Sequence, residues 1–98
     1  MHFVYIVRCA DGTLYTGYAR DPHAREQLHN KGRGAKYTAS RRPVRLVYQE
    51  AFRTLGKALA REYAVKQLRR AQKDALIAGA QSLTGRLRGA SIGRIELS

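Results

Sequence analysis

The chain has 98 residues, 44% of them hydrophobic, with nineteen Lys and Arg against seven Asp and Glu and a formal net charge of +12. That length holds one domain with a small core, the apolar content excludes a disordered tail, and the charge predicts attraction to a polyanion, of which nucleic acid is the commonest. A single cysteine, Cys9, excludes an internal disulfide, and no Cys/His cluster has zinc-ligand spacing. A reducing, cytoplasmic setting is expected. The apolar run from Phe3 to Val7 is too short to span a bilayer and lacks the flanks of a signal peptide, so no membrane partner is expected.

Residues 2 to 9 are β-branched and aromatic and too few for a helix, which predicts a strand. Ala10-Asp11-Gly12 is a turn signal, and residues 13 to 18 read as the returning strand of a hairpin. The loop length decides which side chains meet. A two-residue loop on Asp11-Gly12 pairs Arg8 with Tyr15. A three-residue loop with Gly12 left-handed pairs Val7 with Tyr15 and Tyr5 with Gly17, and sets Tyr5 and Tyr15 on one face. The pattern alone leaves both open.

Asp21-Pro22 predicts a helix start, a capping carboxylate followed by proline at the first helical position. The helix is expected to reach about Lys31 and stop at Gly32, with Ala24 and Leu28 as its apolar stripe and Arg25 and His29 projecting from one side. Residues 31 to 45 carry six basic side chains, Lys31, Arg33, Lys36, Arg41, Arg42 and Arg45, with Tyr37 among them. Arg45 to Ala51 reads as a third strand. Thr54 caps a second helix expected to run to about Arg70, and residues 72 to 79 read as a short third one. From Gln81 the composition turns to Gly, Ser and Arg, which predicts a loosely docked tail, with Ser91 to Leu97 as a terminal strand candidate. The expected organisation is a domain over residues 1–80 and a basic tail over 81–98.

One residue breaks the pattern of the second helix. Its apolar stripe runs Leu55, Ala58, Leu59, then Glu62, then Val65 and Leu68. A carboxylate aimed at a core is costly unless paired or bound to a metal; the simplest pairing is with Lys66, four residues on. Beside it stand Tyr5 and Tyr15 on the strands and Arg25 and His29 on the first helix. Phenols, an imidazole, a phosphate-binding cation and a metal carboxylate are the parts that phosphodiester hydrolysis needs. Tyr37 is suited to pack beneath the basic loop or to stack on a base. Lys31, Arg33, Lys36, Arg41 and Arg42 are suited to backbone phosphates, giving affinity and salt dependence without sequence choice.

The ordered set resembles the GIY-YIG endonuclease domain. Phe3-Val4-Tyr5 stands where that family has Gly-Ile-Tyr, and Tyr15-Thr16-Gly17 where it has Tyr-Ile-Gly. Arg25 falls eight residues after Gly17, His29 four later, and Glu62 at the place of the family's metal-binding Glu. Asp11-Gly12, Gly34-Ala35-Lys36 and the segment Ala60 to Leu68 are most similar to small stand-alone bacterial members, the YhbQ-like (UPF0213-type) proteins. The resemblance covers about residues 2 to 80. It implies an α/β (α+β) fold, a three-stranded antiparallel sheet flanked by helices in the order β-β-α-β-α-α, and it favours the three-residue loop.

The resemblance also implies roles. Tyr5, Tyr15, Arg25 and His29 are the catalytic set: Tyr5 as general base, Tyr15 and His29 supporting it, Arg25 steadying the phosphate. Glu62 holds one divalent cation, Mg²⁺ or Mn²⁺. A phenol with its ordinary pKa near 10 is a base at neutral pH only if positive charge lowers it. The implied activity is metal-dependent endonucleolytic cleavage, of DNA rather than RNA, directed by structure or damage, since no recognition domain is appended; a protein partner would then supply targeting. The alternative is a non-catalytic nucleic-acid-binding module on the same fold, and behind it an RNA-associated accessory protein. Two departures from the family pattern stand out. Phe3 replaces the first motif glycine, and no Asn follows Glu62, so Gln67 or Gln72 would have to take that place; the only Asn, Asn30, precedes it.

Overall fold

A computed structural model describes residues 1–86, with side chains described through Ala80. The hairpin forms with the three-residue loop. Strand β1 (His2–Arg8) pairs antiparallel with β2 (Leu14–Ala19) in the register Val7↔Tyr15 and Tyr5↔Gly17. Gly12 carries φ +87, the left-handed conformation that closes such a loop without a Cβ penalty. The Asp11 carboxylate accepts from the Thr13 amide and hydroxyl at 3.1 and 2.6 Å and so fixes the turn locally.

Strand β3 (Arg45–Phe52) adds to the other edge of β1, giving the order β2-β1-β3. A bulge between Ile6 and Val7 slips the pairing from Ile6↔Tyr48 to Val7↔Leu46. β1 is therefore the central strand, and Val4, Tyr5, Ile6 and Val7 are all buried. This explains its unbroken apolar run, since a strand covered on both faces does not alternate. Phe3, at the position of the family's glycine, is half-buried and paired with Ala19 and Ala51, whose small side chains leave room for its ring.

One sheet face carries Val4 and Ile6 against Ala58, Val65 and Ile77; the other carries Tyr5 and Val7 with Cys9, Ala19 and Val44. Each fully buried Val or Ile contributes about 1.5–3 kcal/mol. The second face is covered by α1 (Pro22–Asn30), whose start is as expected, with Asp21 accepting from the Ala24 amide at 3.1 Å. Its buried side is not. Ala24 and Leu28 point outward, and Pro22 and His29 are buried, with Arg25 and Glu26 half-buried between them. A polar helix face docks here because its groups find partners. The Glu26 carboxylate accepts from the Leu46 amide at 2.7 Å, and the Asn30 amide exchanges two hydrogen bonds with the Val44 backbone at 2.7 and 3.0 Å. Asn30 is thereby a structural clasp.

The basic segment is more ordered than its glycines predict. It contains a short helix, α2 (Lys36–Ala39), and Gly32 at φ +80 ends the turn after α1. The first face of the sheet is covered by α3 (Leu55–Lys66), capped by Thr54 as expected, and α4 (Arg70–Arg86). The single helix expected to reach about Arg70 breaks after Lys66. Gln72 causes the restart: its side chain accepts from the Arg69 amide at 2.8 Å, the reach-back half of a capping box, and α4 begins at the next residue. The break lets Leu68, Leu76 and Ile77 turn onto the core. Within α3 the inward stripe centres on Ala58 and Val65; at about 100° per residue, Leu55 and Leu59 fall on its flank and are exposed. α4 continues across residue 80, and the terminal strand expected at 91–97 lies outside the described residues.

Candidate active site

Tyr5 projects from β1 over Gly17 of β2, the edge strand. A Cβ at Gly17 would lie 2.6 Å from the Tyr5 hydroxyl and 2.8 Å from Cζ, so only glycine leaves room for the phenol there. The Tyr5 hydroxyl lies 2.8 Å from His29 Nε2 on α1. On the other side of the ring, Nδ1 lies 2.8 Å from Thr38 Oγ1, and the Thr38 hydroxyl donates to the Ala35 carbonyl at 2.9 Å. Read as a network, this assigns the imidazole hydrogen to Nδ1 and the lone pair on Nε2 to the Tyr5 O–H. The Ala35 amide points at Nδ1 from 3.3 Å and would need the lone pair there, so it favours the opposite tautomer; it is the longest of the four contacts, and the three shorter ones set the assignment. Gly34 is as necessary to His29 as Gly17 is to Tyr5, because a Cβ there would stand inside the imidazole's van der Waals surface, 2.6 Å from Cγ.

Burial governs the electrostatics of this pair. The Tyr5 pKa is pushed up to about 12, first by burial and then by the neighbouring Tyr15 phenol; Arg25 pulls it down and the Glu62 carboxylate pushes it up. The expected influence of Arg25 is real but outweighed, so Tyr5 is a protonated phenol at neutral pH. The His29 pKa is lowered by burial and then by Arg25, which keeps the imidazole neutral. A protonated phenol bonded to a neutral imidazole is a proton donor and acceptor already in contact.

The other expected residues gather around this pair. Tyr15, half-buried on β2, meets His29 edge-on at 5.3 Å between ring centres and Tyr5 at 6.5 Å. Arg25 is half-buried and donates to the Tyr18 carbonyl at 3.3 Å, which leaves most of its donors uncommitted. Glu62 lies on the same stripe as Ala58 and Val65, its side chain 19% exposed, and pairs with Lys66 Nζ at 3.1 Å. That is the simple pairing, and an i,i+4 pair with an exposed lysine is worth only about 0.3–0.5 kcal/mol. Among the described residues no three His, Cys, Asp or Glu side chains cluster to hold a metal. A cation at Glu62 would have one protein carboxylate and complete its shell from water and substrate phosphate, the habit of Mg²⁺. Gln72 is committed to the α4 cap, and Gln67 is exposed at the end of α3.

The basic loop divides into two kinds of residue. Lys31, Arg33 and Lys36 are exposed. Arg41 and Arg42 are tied into the loop. Arg41 donates to the Tyr37 carbonyl at 2.8 Å, lies 3.9 Å over the Tyr37 ring and pairs with Asp11 at 3.2 Å; Arg42 donates to the Ala39 carbonyl at 2.7 Å. Tyr37 stacks on Tyr15 at 6.0 Å and remains 40% exposed.

Residues 1–75 match the profile described as the GIY-YIG catalytic domain. The chain belongs to the GIY-YIG family. A UPF0213 protein of Staphylococcus aureus is 60% identical over 76 residues, spanning 78% of this chain and 93% of that protein. The solution NMR structure of a UPF0213 protein from Bacillus halodurans superposes with a TM-score of 0.52 at 47% identity, covering 79% of this chain and 82% of that one. That of a protein from E. faecalis gives 0.55 at 42% identity, covering 80% and 83%. The family is a nuclease family, and its three-stranded antiparallel sheet with flanking helices is the architecture found here.

Two groups that complete the site escaped the sequence. Thr38 sits in a stretch read as basic loop, and nothing in its neighbours marks it as the buried partner of His29. Glu50 is buried on β3, bonded to Arg61 at 2.9 Å and to the Tyr48 hydroxyl at 3.1 Å, and anchors α3 beside Glu62. Its signal, a lone carboxylate in an apolar strand, was present.

Proposed function

We propose that this protein is a divalent-metal-dependent endonuclease acting on DNA, directed by strand structure or damage. The observation that carries the reading is the cluster built on one phenol: His29 lies 2.8 Å from the Tyr5 hydroxyl, and Tyr15 meets both rings, 5.3 Å from His29 and 6.5 Å from Tyr5 between ring centres.

In this reading Tyr5 accepts the proton of the attacking water while its own proton passes to Nε2 of His29. The phenol then never becomes a free phenolate, so a pKa of about 12 is no obstacle. Thr38 holds the imidazole in the tautomer that can accept. Burial keeps bulk solvent off the acceptor, and Tyr15 orients the water. Arg25 holds the scissile phosphate and offers its free donors to the charge that grows on it. Glu62 would hold the cation, released from a weak bond to Lys66. When bound, Mg²⁺ or Mn²⁺ supplies Lewis-acid stabilisation of the phosphoryl oxygens. Lys31, Arg33 and Lys36 grip flanking phosphates together with Arg41 and Arg42, which with Tyr37 also shape the loop that presents them. Residues 1–80 form the nuclease unit, 81–98 a basic extension, and the setting is cytoplasmic, with a protein partner supplying targeting.

The test is cleavage of end-labelled single-stranded, duplex and branched DNA with Mg²⁺, Mn²⁺ or EDTA, beside Glu62→Ala. Cutting should require the metal and vanish in the variant, while the variant binds as well as the parent or better. Binding without cutting under every metal would instead make the chain a binding module, and cleavage by Glu62→Ala at the parent's rate would remove the metal assignment.

A further inference from the structure

A cavity of about 280 Å³ lies beside the site, lined by Leu14, Tyr15 and Thr16 of β2, Tyr37 of α2, Lys66 of α3 and Lys73 of α4. Three features specify its occupant. Its walls are apolar and aromatic, from Leu14, Tyr15 and the 40% exposed Tyr37. It is an open groove whose volume, near the low end of small-ligand sites at about 300–1,000 Å³, has room for one planar ring system. Its rim is cationic and has charge to spare. Lys73 is half-buried with no ion-pair partner among the described residues, and Lys66 has only its weak bond to Glu62. Two lysines on the rim of an apolar wall give it the positive potential that the phosphates of a polyanion seek.

We infer that this cavity receives the nucleobase next to the scissile phosphate, with Lys66 and Lys73 holding the backbone phosphates on either side of it. The placement rests on the nuclease reading, since Tyr15 belongs both to the cavity wall and to the catalytic cluster, 5.3 Å from His29 between ring centres. Tyr37 already stacks on Tyr15 and lies under Arg41, so a base would seat against the exposed part of that aromatic stack. There it would be unstacked from its neighbours, so the favoured substrate is single-stranded or distorted at that point. Each base–aromatic stack of this kind is sequence-tolerant, because every base has a π-face.

The chain has no tryptophan, so Tyr37→Trp places a single indole, excited at longer wavelength than the remaining tyrosines, on the cavity wall. In EDTA, titration with a short single-stranded DNA should quench that emission. An abasic strand of the same length and charge should bind more weakly and leave the emission unchanged. Tyr37→Ala should lose about 5- to 150-fold in affinity, the range of one base–aromatic stack. In the parent chain, Lys73→Gln should lower the slope of log affinity against log salt by about 0.7, the share of one single-strand phosphate. Binding seen by anisotropy without quenching, equal quenching by the abasic strand or by polyglutamate, or an unchanged salt slope in Lys73→Gln would overturn the assignment. These readouts need no cleavage. Failure of the nuclease reading would show as binding without cutting, whereas failure of this one would leave a cutting parent whose cavity takes no base.

Discussion

Tyr5 and Tyr48 sit on opposite faces of the sheet, and burial pushes both phenols up to about 12. Their partners differ. Tyr48 donates to Glu50, and Glu50 is held by Arg61, whose own pKa is raised chiefly by that hydrogen bond. That network is closed, since the carboxylate has its countercharge and the phenol has no neutral base to receive its proton. Tyr5 meets a neutral imidazole, beside a guanidinium with free donors and a carboxylate held only by an exposed lysine. An equal pKa thus marks one anchor and one candidate acid–base group, and the partner is what separates them. The two carboxylates repeat the contrast. Glu50 is locked by two partners and fixes α3 to β3 through Arg61; Glu62, the next residue of α3, keeps a partner it can exchange.

The comparison can be broken at several points. After the Glu62 and Tyr5 variants, the largest effect is expected from Gly17→Ala. The new methyl would enter the volume of the Tyr5 hydroxyl, 2.6 Å away, and push the phenol off His29. A displacement of about 1 Å costs on the order of 100-fold in cleavage, read in a cleavage assay with circular dichroism confirming the fold. A methyl added at Gly79 meets nothing within 4 Å and should leave the rate unchanged.

Next comes pH. The folded pKa of His29 lies below its ordinary value of 6.5. As pH falls through 6.5 the unfolded chain takes up the proton first, so the stability due to neutral burial is complete above 6.5 and lost below it. Protonated His29 also cannot accept from Tyr5. The acid limb of the cleavage profile should therefore lie below pH 6.5, falling about tenfold per unit, and His29→Gln should abolish that limb along with most of the rate. A limb centred above 6.5 would contradict the assignment.

The smallest effect belongs to the loop. Arg41→Ala with Arg42→Ala should weaken DNA binding several-fold and flatten its salt dependence, by about 0.7–0.9 for each phosphate no longer neutralised. Because both side chains also bond loop carbonyls, the double variant should lose about 1–2 kcal/mol of stability by thermal unfolding. An unchanged salt slope with that loss of stability would make both arginines loop struts alone.

Legibility in the sequence followed the range of the interaction. Asp21-Pro22, Thr54 and Asp11-Gly12 act on their own backbone within a few residues, and each element they start lies where those residues place it. The hairpin register needed more, because both loop lengths suit the pattern; the resemblance chose the one observed. The α3–α4 break was missed although its cause is local, since Gln72 reads as an ordinary helix former until its side chain turns back on Arg69. The buried side of α1 was missed for the opposite reason. An apolar stripe of Ala24 and Leu28 is visible in sequence, whereas a polar side satisfied by Val44, Leu46 and Tyr5 depends on strands far along the chain. For the same reason Tyr5, His29 and Glu62 could be named as residue types, while Thr38 and the exclusion volumes at Gly17 and Gly34 emerge only when three elements meet.

The most direct measurement sets Tyr5→Phe beside Tyr48→Phe in one cleavage assay with saturating Mn²⁺. Each removes one hydroxyl from a buried phenol. Tyr5→Phe should lose about 10²- to 10⁴-fold in rate, the worth of a positioned acid–base group, with its fold and DNA affinity retained. Tyr48→Phe should lose about 0.5–1.5 kcal/mol of stability and cut at the parent's rate. Equal rates in the two variants would contradict the account, because the imidazole beside Tyr5 would then be as structural as the carboxylate beside Tyr48.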